Sequence, residues 1–413
     1  MDSSNPVERQ YTQYSYPEPG DDIPAWQQSY NYDLYDPGLY SALYWPEGRP
    51  RQALQVLVAG CGTMQAAVLA FNNPESSFVG VDFSEASLAH QERLRERHKL
   101  TNLTLRRMDL RDVSALGQSF DLIISSGVLH HLPDPAAGLR ALSSVLEPAH
   151  GVMLLMLYGR FGRAGVYELQ DAFRRMKVPQ SPEGVAVVRS AIQQLAPHHP
   201  ARWYYEHSFE MKSDAAVVDT FLHSQDVAYS VQDVLDFVEG NGLKFQGWLD
   251  SGIYNQDWKG LDANIADRDR WSIVEALDGR MTTHSFVVTV GSRDKRSEIS
   301  FEGNRWLDYY PLRHPKLSPS VFDPRKCVRG SHELIVSPLE ETLVAKADGA
   351  HTVADILKSK EWAKIDAVPR RAIALEFYRR MWRFGHMFFS AVPVKRGRPK
   401  SLGDKSSGDK NAG

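Results

Sequence analysis

The chain has 413 residues, 42% of them hydrophobic and 24% charged, the balance of a soluble globular protein with room for two or three cored domains. A net charge of −3 excludes a global field that would draw the whole chain to nucleic acid or to a membrane, and no apolar stretch reaches the roughly 20 residues that cross a bilayer. The polar start Met1-Asp2-Ser3-Ser4-Asn5 lacks the apolar run of a secretory signal, and two cysteines far apart, Cys61 and Cys327, exclude a disulfide scaffold and a Cys-rich zinc site. The expected setting is a reducing cytoplasm without membrane contact.

Residues 1–50 are rich in Tyr, Pro, Asp and Gln and show little helical or strand periodicity before about Tyr35. They read either as an arm that packs its rings on the core or as one that partly closes over a ligand. Between residues 52 and 158, short apolar runs alternate with helical patterns. The spacing predicts strands at 55–59, 77–81, 103–107, 120–125 and 151–158 and helices at 63–71, 85–98 and 136–147. Ser84 suits the N-cap of the second helix, and Pro133 and Pro135 the entry to the third. Such alternation implies a parallel sheet covered on both faces.

The alternation breaks over residues 159–230. Val166, Leu169, Phe173 and Met176 recur at helical spacing and predict a helix over 164–177, ended by Pro179 and Pro182. Pro197-His198-His199-Pro200 and the aromatic cluster Trp203-Tyr204-Tyr205 follow. Val231, Val234, Leu235 and Val238 mark one more helix, ended by Gly240 or Gly242, and two strands are predicted at 244–249 and 285–290. The first domain is therefore expected to span 51–292, with 159–230 inserted as a lid. After a charged linker, 301–392 reads as a small, mainly helical domain that could form a winged helix-turn-helix. Its helices fall near 338–348, 353–359 and 367–384, the first opened by the capping box Ser337-Pro338-Leu339-Glu340. Residues 393–413 read as a basic, disordered tail.

The most informative motif is Val56-Leu57-Val58-Ala59-Gly60-Cys61-Gly62-Thr63, an apolar run that ends in a glycine turn before a helix. A second apolar run ends in Asp82. Glycines let the backbone approach a nucleotide-bearing ligand, and an acid at that place accepts hydrogen bonds from ribose hydroxyls. A dinucleotide fingerprint, Gly-x-Gly-x-x-Gly, needs a third glycine three residues after Gly62. Gln65, after Met64, stands there instead, which argues against NAD or FAD. Read without a ligand, Gly60 and Gly62 serve a tight turn, Asp82 caps a helix, and Asp109 pairs with Arg111 on the surface.

The glycine motif, Asp82, Met108-Asp109-Leu110 and the segment from Phe120 through Val128-Leu129-His130-His131-Leu132 occur in an order and spacing that resemble the class I S-adenosylmethionine-dependent methyltransferases. The resemblance covers about residues 50–160 and weakens through 292. It implies a Rossmann-like α/β fold, a seven-stranded sheet whose last strand is antiparallel, and S-adenosyl-L-methionine as cofactor. It also implies that the turn Ala59-Gly60-Cys61-Gly62 faces the methionine part, that Asp82 binds the ribose with Phe83 beside the adenine, and that Asp109 and Leu110 contact the adenine. Ser126 and Gly127 fall where methyl group and acceptor meet. Two departures stand inside the motif: Ala59 where many members carry an acid, and Met64, which would narrow the pocket.

Methyl transfer needs chiefly alignment of an N or O nucleophile on a small molecule or a protein. His130 and His131 are the candidate bases, though a structural role for the pair is the plainer reading. Tyr158, His199, Trp203 and Tyr204 are the candidate acceptor contacts, the aromatic cluster serving either a pocket or the lid's own core. No metal site is expected, since His198 and His199 lack a third ligand at a recognisable spacing. The alternative is a methyltransferase fold without activity that regulates by binding, contacting DNA through the C-terminal domain and through Arg396 and Arg398 of an Arg-Gly-Arg-Pro core suited to a narrow minor groove.

Overall fold

The computed structural model describes residues 6–14, 20–29, 34–262, 264–291, 293, 295–319, 326–329 and 332–394. Among the described residues three short helices precede the first strand: α1 (Pro6–Gln13), α2 (Ile23–Ser29) and α3 (Ser41–Tyr44). Local periodicity does not announce α1 and α2 because tertiary contact supports them. Val7 and Gln10 of α1 are buried, α1 packs on a later helix, and the Ile23 N–H of α2 donates to His98 Nε2 at 3.2 Å. Such short helices are marginal on their own in water.

The alternating region forms β1 (Gln55–Ala59), α4 (Gln65–Asn72), β2 (Ser77–Asp82), α5 (Glu85–Arg97), β3 (Leu103–Arg107), β4 (Leu122–Ser126), α6 (Pro135–Ser144) and β5 (Val152–Tyr158). These agree with the expected elements to within a few residues. The helix packed under α1 is α5. The insert contributes α7 (Ala164–Arg175), α8 (Pro182–Gln194), α9 (Pro200–His207) and α10 (Asp214–Phe221). The chain then returns through α11 (Val231–Gly240), β6 (Leu243–Trp248), α12 (Ser251–Tyr254), α13 (Asp267–Asp278) and β7 (Thr283–Val290).

The seven strands pair in the order β3-β2-β1-β4-β5-β7-β6. Strands β1 to β5 run parallel, and β7 lies antiparallel between β5 and β6. From β1 the chain builds outward to β3 on one side and then restarts at β4 on the other. The crevice outside the carboxyl ends of β1 and β4 is the switch point where such sheets bind ligands. Leu57, Ile123, Met153 and Leu155 pack one sheet face, and Val56, Val58, Ile124 and Leu154 the other, all wholly buried. This is why the strands read as continuous apolar runs rather than as alternating ones.

The insert corrects one expectation. Pro182 does not close a helix. It opens α8 at its first turn, behind the N-cap Ser181, whose side chain accepts from the Gly184 N–H. Proline tolerates that position because its missing N–H would have no intrahelical partner. Helices α7 to α10 enclose a core of their own, including Val166, Phe173, Val188, Ile192, Ala201, Val217 and Phe221.

Beyond β7 lie β8 (Tyr310–Arg313), β9 (Ser318–Pro319), β10 (Lys326–Arg329), β11 (His332–Ile335), α14 (Pro338–Ala345), α15 (Val353–Ile356), α16 (Ala367–Arg383) and β12 (Met387–Ser390). The capping box at Ser337 and Glu340 is present. The helices were foreseen but the strands were not: β12 pairs antiparallel with β8, and β9 to β11 form a small sheet. Helix α15 is a single turn of four residues. The region has its own core around Trp306, Trp362, Phe377, Tyr378 and Phe389. The β12 end is tied to the N-terminal arm, since the Ala391 N–H and the Ser390 hydroxyl both donate to the Pro46 carbonyl, at 2.6 and 3.1 Å. The basic tail with Arg396 and Arg398 lies outside the described residues. Among the described residues no helix is long and apolar enough to cross a membrane.

Candidate active site

The glycine turn is held by its neighbours more than by itself. The Val81 carbonyl, near the end of β2, accepts from both Gly60 N–H at 2.8 Å and Cys61 N–H at 3.0 Å. Gly60 and Gly62 sit at φ of 73° and 54°, the left-handed region that costs little only for glycine. A Cβ on Gly60 would stand 2.3 Å from Val128 Cγ2. From α5, the buried Gln91 clamps the other side. Its Nε2 donates to the Cys61 and Gly62 carbonyls at 2.9 and 2.8 Å, and its Oε1 accepts from Ala67 N–H at 2.9 Å.

Asp82 is 8% exposed and joins turn to helix: Oδ2 accepts from Gly62 N–H at 2.8 Å and Oδ1 from Ser84 N–H at 2.9 Å. Burial raises its pKa, opposed by these backbone donors. The helix cap itself is Ser84. Each carboxylate oxygen keeps a lone pair after one such bond, which is what a ribose diol requires. Asp109 forms the surface pair foreseen as one of its two readings. Arg111 donates from Nε and Nη2 at 2.9 and 2.6 Å, and this pairing lowers the carboxyl pKa.

A cavity of about 1100 Å³ runs along the carboxyl edge of the sheet. At one end it is lined by Gly60, Cys61, Gly62, Asp82, Phe83, Asp109, Leu110, Ser126 and Gly127, which the fold brings together. Ala59 is not among its lining residues; it is wholly buried at the end of β1 in the core. Met64 does line it, with its Sδ accepting from Gly20 N–H at 3.4 Å.

At the other end Tyr158, from the tip of β5, meets the insert. Its ring carries the Arg163 guanidinium at 3.7 Å from its centroid. Arg163 is nearly buried, and burial lowers its pKa, but Tyr204, Tyr158, Tyr167 and Asp226 raise it by more. Asp219, buried on α10, accepts from the Tyr11 hydroxyl of α1 at 2.7 Å and from the Tyr158 hydroxyl at 3.3 Å. Burial first and Asp219 second push the pKa of both tyrosines well up, so both stay protonated donors. Trp203 is 41% exposed and stacks on His207 at 4.7 Å. Trp203 and Tyr204 line the cavity, and Tyr204 and Tyr205 both pack against the insert's core. Both readings of the aromatic cluster therefore hold, and Tyr204 serves both.

His199 lies elsewhere. It is the N-cap of α9, its Nδ1 accepting from Ala201 N–H at 3.1 Å, and it does not line the cavity. Of the histidine pair, His131 lines the cavity and His130 is wholly buried behind it. Burial, then His131 and Arg163, hold the His130 pKa well below that of an ordinary imidazole. Tyr11, Arg163 and Asp219 escaped the sequence reading. Asp219 had a legible signal, an acid that interrupts the apolar residues Ala215-Ala216-Val217-Val218 and Phe221-Leu222.

His131, Asp219 and His223 offer ligand atoms within 4.8 Å of one another, as do His130, His131 and Asp226. The His131 and His223 rings are stacked, 3.9 Å and 23° apart, so their in-plane lone pairs run side by side and do not converge on one ion. The second group already has a positive neighbour, Arg163, 3.9 Å from Asp226.

A family model described as a methyltransferase domain matches residues 57–153. The chain is 30% identical over 373 residues to an uncharacterized protein of Synechococcus sp., covering 84% of this chain and 87% of that protein. Over 108 residues it is 36% identical to a trans-aconitate 2-methyltransferase of Deinococcus radiodurans, 26% of this chain and 39% of that protein. Among solved structures, PKMT2 from Rickettsia typhi in complex with AdoHcy is similar at a TM-score of 0.62 and 13% identity, over 91% of this chain and 77% of that one, a likeness of fold.

Proposed function

The chain belongs to the class I S-adenosylmethionine-dependent methyltransferases, and we propose that it delivers the methyl group to the nitrogen of an amine. When bound, S-adenosylmethionine supplies a methyl group on positively charged sulfur. The residues that would hold it are the turn Gly60 to Gly62, Asp82, Phe83 and Leu110, where a backbone without Cβ atoms and a carboxylate with spare lone pairs suit its amino-acid and ribose parts. The protein's remaining work is to hold the acceptor in line and keep water out, and alignment of this kind is worth on the order of 7–11 kcal/mol.

The observation that carries the amine reading is Asp219. A buried carboxylate lies on the cavity wall between two tyrosine hydroxyls, with the rings of Tyr158, Trp203 and Tyr204 on the same wall. An ammonium group gains both a charge-assisted hydrogen bond and contact with ring faces there. A neutral hydroxyl gains only the hydrogen bond. Buried carboxylates of this kind are costly to keep unless something cationic uses them.

The test is methylation of paired acceptors, small primary amines and lysine-bearing peptides against the matching alcohols and serine peptides, by wild type and Asp219→Asn. Amines should be methylated at least tenfold faster. The substitution should raise their KM while leaving S-adenosylmethionine affinity by calorimetry unchanged. Preference for the alcohols, or an amine KM indifferent to Asp219, refutes the reading. The two amine arms decide between a small molecule and a protein side chain.

A further inference from the structure

We infer that His131 is the base that takes a proton from the acceptor, and that Gln225 and Asp226 are the positioning residues that prepare it. The identity of the acceptor as an amine rests on the reading above; the choice of base does not.

One residue, Gln225, decides among the histidines. The Nδ1–H of His131 donates to the Gln225 carbonyl at 3.1 Å, and the N–H of the same residue donates to His223 Nδ1 at 3.1 Å. A carbonyl only accepts and an amide N–H only donates, so two neutral imidazoles on these partners are held in opposite tautomers. His131 carries its proton on Nδ1 and has a lone pair on Nε2. His223 carries its proton on Nε2 and has no lone pair left to give. The Nδ1 of His131 is engaged by Gln225, which leaves Nε2 for the cavity that this ring lines. His130 is sealed away: it is wholly buried, and among the described residues neither of its nitrogens has a partner. It serves as packing, its ring 4.0 Å from that of Tyr158.

Two carboxylates stand beside the His131 ring. Once both nitrogens carry protons, Nδ1–H keeps its bond to Gln225, and a carboxylate oxygen of Asp226 lies 4.0 Å from that nitrogen. This Oδ1 is buried and has no hydrogen-bond partner among the described residues. Asp226 and Asp219 both face the ring and stabilise an imidazolium. Arg163, beyond Asp226, opposes it. His130 and His223 are kept neutral by burial and by their neighbours. Tyr11 and Tyr158, with ring centroids 6.5 and 5.6 Å from that of His131, stay protonated and uncharged. The division of labour is simple: the Gln225 carbonyl sets the tautomer, the Asp226 carboxylate supplies counter-charge, and the outer nitrogen does the work.

The step balances simply. The acceptor binds as an ammonium on Asp219, whose carboxylate lies within 4.8 Å of a ligand nitrogen of His131. The lone pair on His131 Nε2 forms a bond to an ammonium proton as the acceptor's N–H bond breaks. That electron pair stays on the acceptor nitrogen and becomes the nucleophile. The imidazolium later loses its proton to water at the cavity mouth, and nothing is oxidised or reduced.

Two measurements test this. In the full-length chain without ligands, histidine ¹⁵N spectra should show His131 as the Nδ1–H tautomer and His223 as the Nε2–H tautomer; an Nε2–H form of His131 overturns the proposal whatever the acceptor is. In turnover, His131→Gln should lower kcat by about 10²- to 10³-fold, keep wild-type S-adenosylmethionine affinity, and abolish the acidic limb of the kcat/KM profile. Asp226→Asn should keep that limb but move it to lower pH, because the imidazolium loses its counter-charge. A His131→Gln enzyme within about threefold of wild type, with the limb intact, overturns the role of His131. An unmoved limb in Asp226→Asn overturns that of Asp226. If alcohols replace amines as acceptors, the amine reading fails while the tautomer result stands separately.

Discussion

Replacing His130 with Phe should flatten the chain's loss of stability in mild acid. His130 is wholly buried with no hydrogen-bond partner for either nitrogen among the described residues, and its pKa is held well below the ordinary 6.5 by burial, His131 and Arg163. The folded chain therefore keeps this ring neutral while the unfolded chain protonates it. The unfolded state binds more protons, so stability is fully present above the ordinary value and is lost as pH falls below it, until the lower folded pKa is reached. Between about pH 7.5 and pH 5.5 an unfolded imidazole goes from roughly one-tenth to nine-tenths protonated, which integrates to about 1.4 kcal/mol. His223, depressed by burial and by His131, acts in the same direction. The assay is urea unfolding of wild type and His130→Phe at both pH values. Any repacking cost of the larger ring appears at both and cancels in the difference. The variant should lose less than wild type over this interval, by at most about 1.4 kcal/mol. An equal loss in the two proteins would mean that His130 is protonated in the fold, and the account of its burial would be wrong.

Gly60→Ala should weaken S-adenosylmethionine binding at least about tenfold by calorimetry: the left-handed backbone alone costs a non-glycine residue about 1 kcal/mol, and the new Cβ, 2.3 Å from Val128 Cγ2, must displace that side chain. Unchanged affinity would show that the turn does not touch the cofactor. Gln91→Leu removes the clamp on Cys61, Gly62 and Ala67 and leaves buried backbone groups unpaired, so the unfolding free energy should fall by about 1–3 kcal/mol together with cofactor affinity. Thermal unfolding at the wild-type temperature would refute that. Trp203→Ala should raise the amine KM by about 3- to 30-fold, the range of a ring–cation contact, with little effect on stability because Trp203 is already 41% exposed. A destabilised fold with unchanged KM would make Trp203 a packing residue instead.

Much of the fold was readable because its information is local. Strands β1 to β5 announce themselves as apolar runs of strand length between helical periods, and the glycine turn with Asp82 lies within about twenty residues of chain. Errors came where one residue type has two opposite uses. Pro182 ends helices when it falls inside one and starts them at the first turn, and only Ser181 before it and the apolar spacing of Val185, Val188 and Ile192 after it separate the two. His199 resembled a site residue by its neighbours, yet its Nδ1 serves the helix that follows.

The sequence by itself determined the sheet, the glycine turn with Asp82 and the family, since each is encoded in short-range patterns of size, polarity and glycine. The cavity wall around Tyr158 and Asp219 was decided only by tertiary structure. Tyr11 and Asp219 are 208 residues apart in the chain and share one hydrogen bond. His131 and His223 have the same side chain and differ in chemistry because the carbonyl and the N–H of Gln225 face different rings. A histidine's tautomer depends on which partner its nitrogen meets, and such partners are chosen by packing elements distant in the chain against each other, not by residue order.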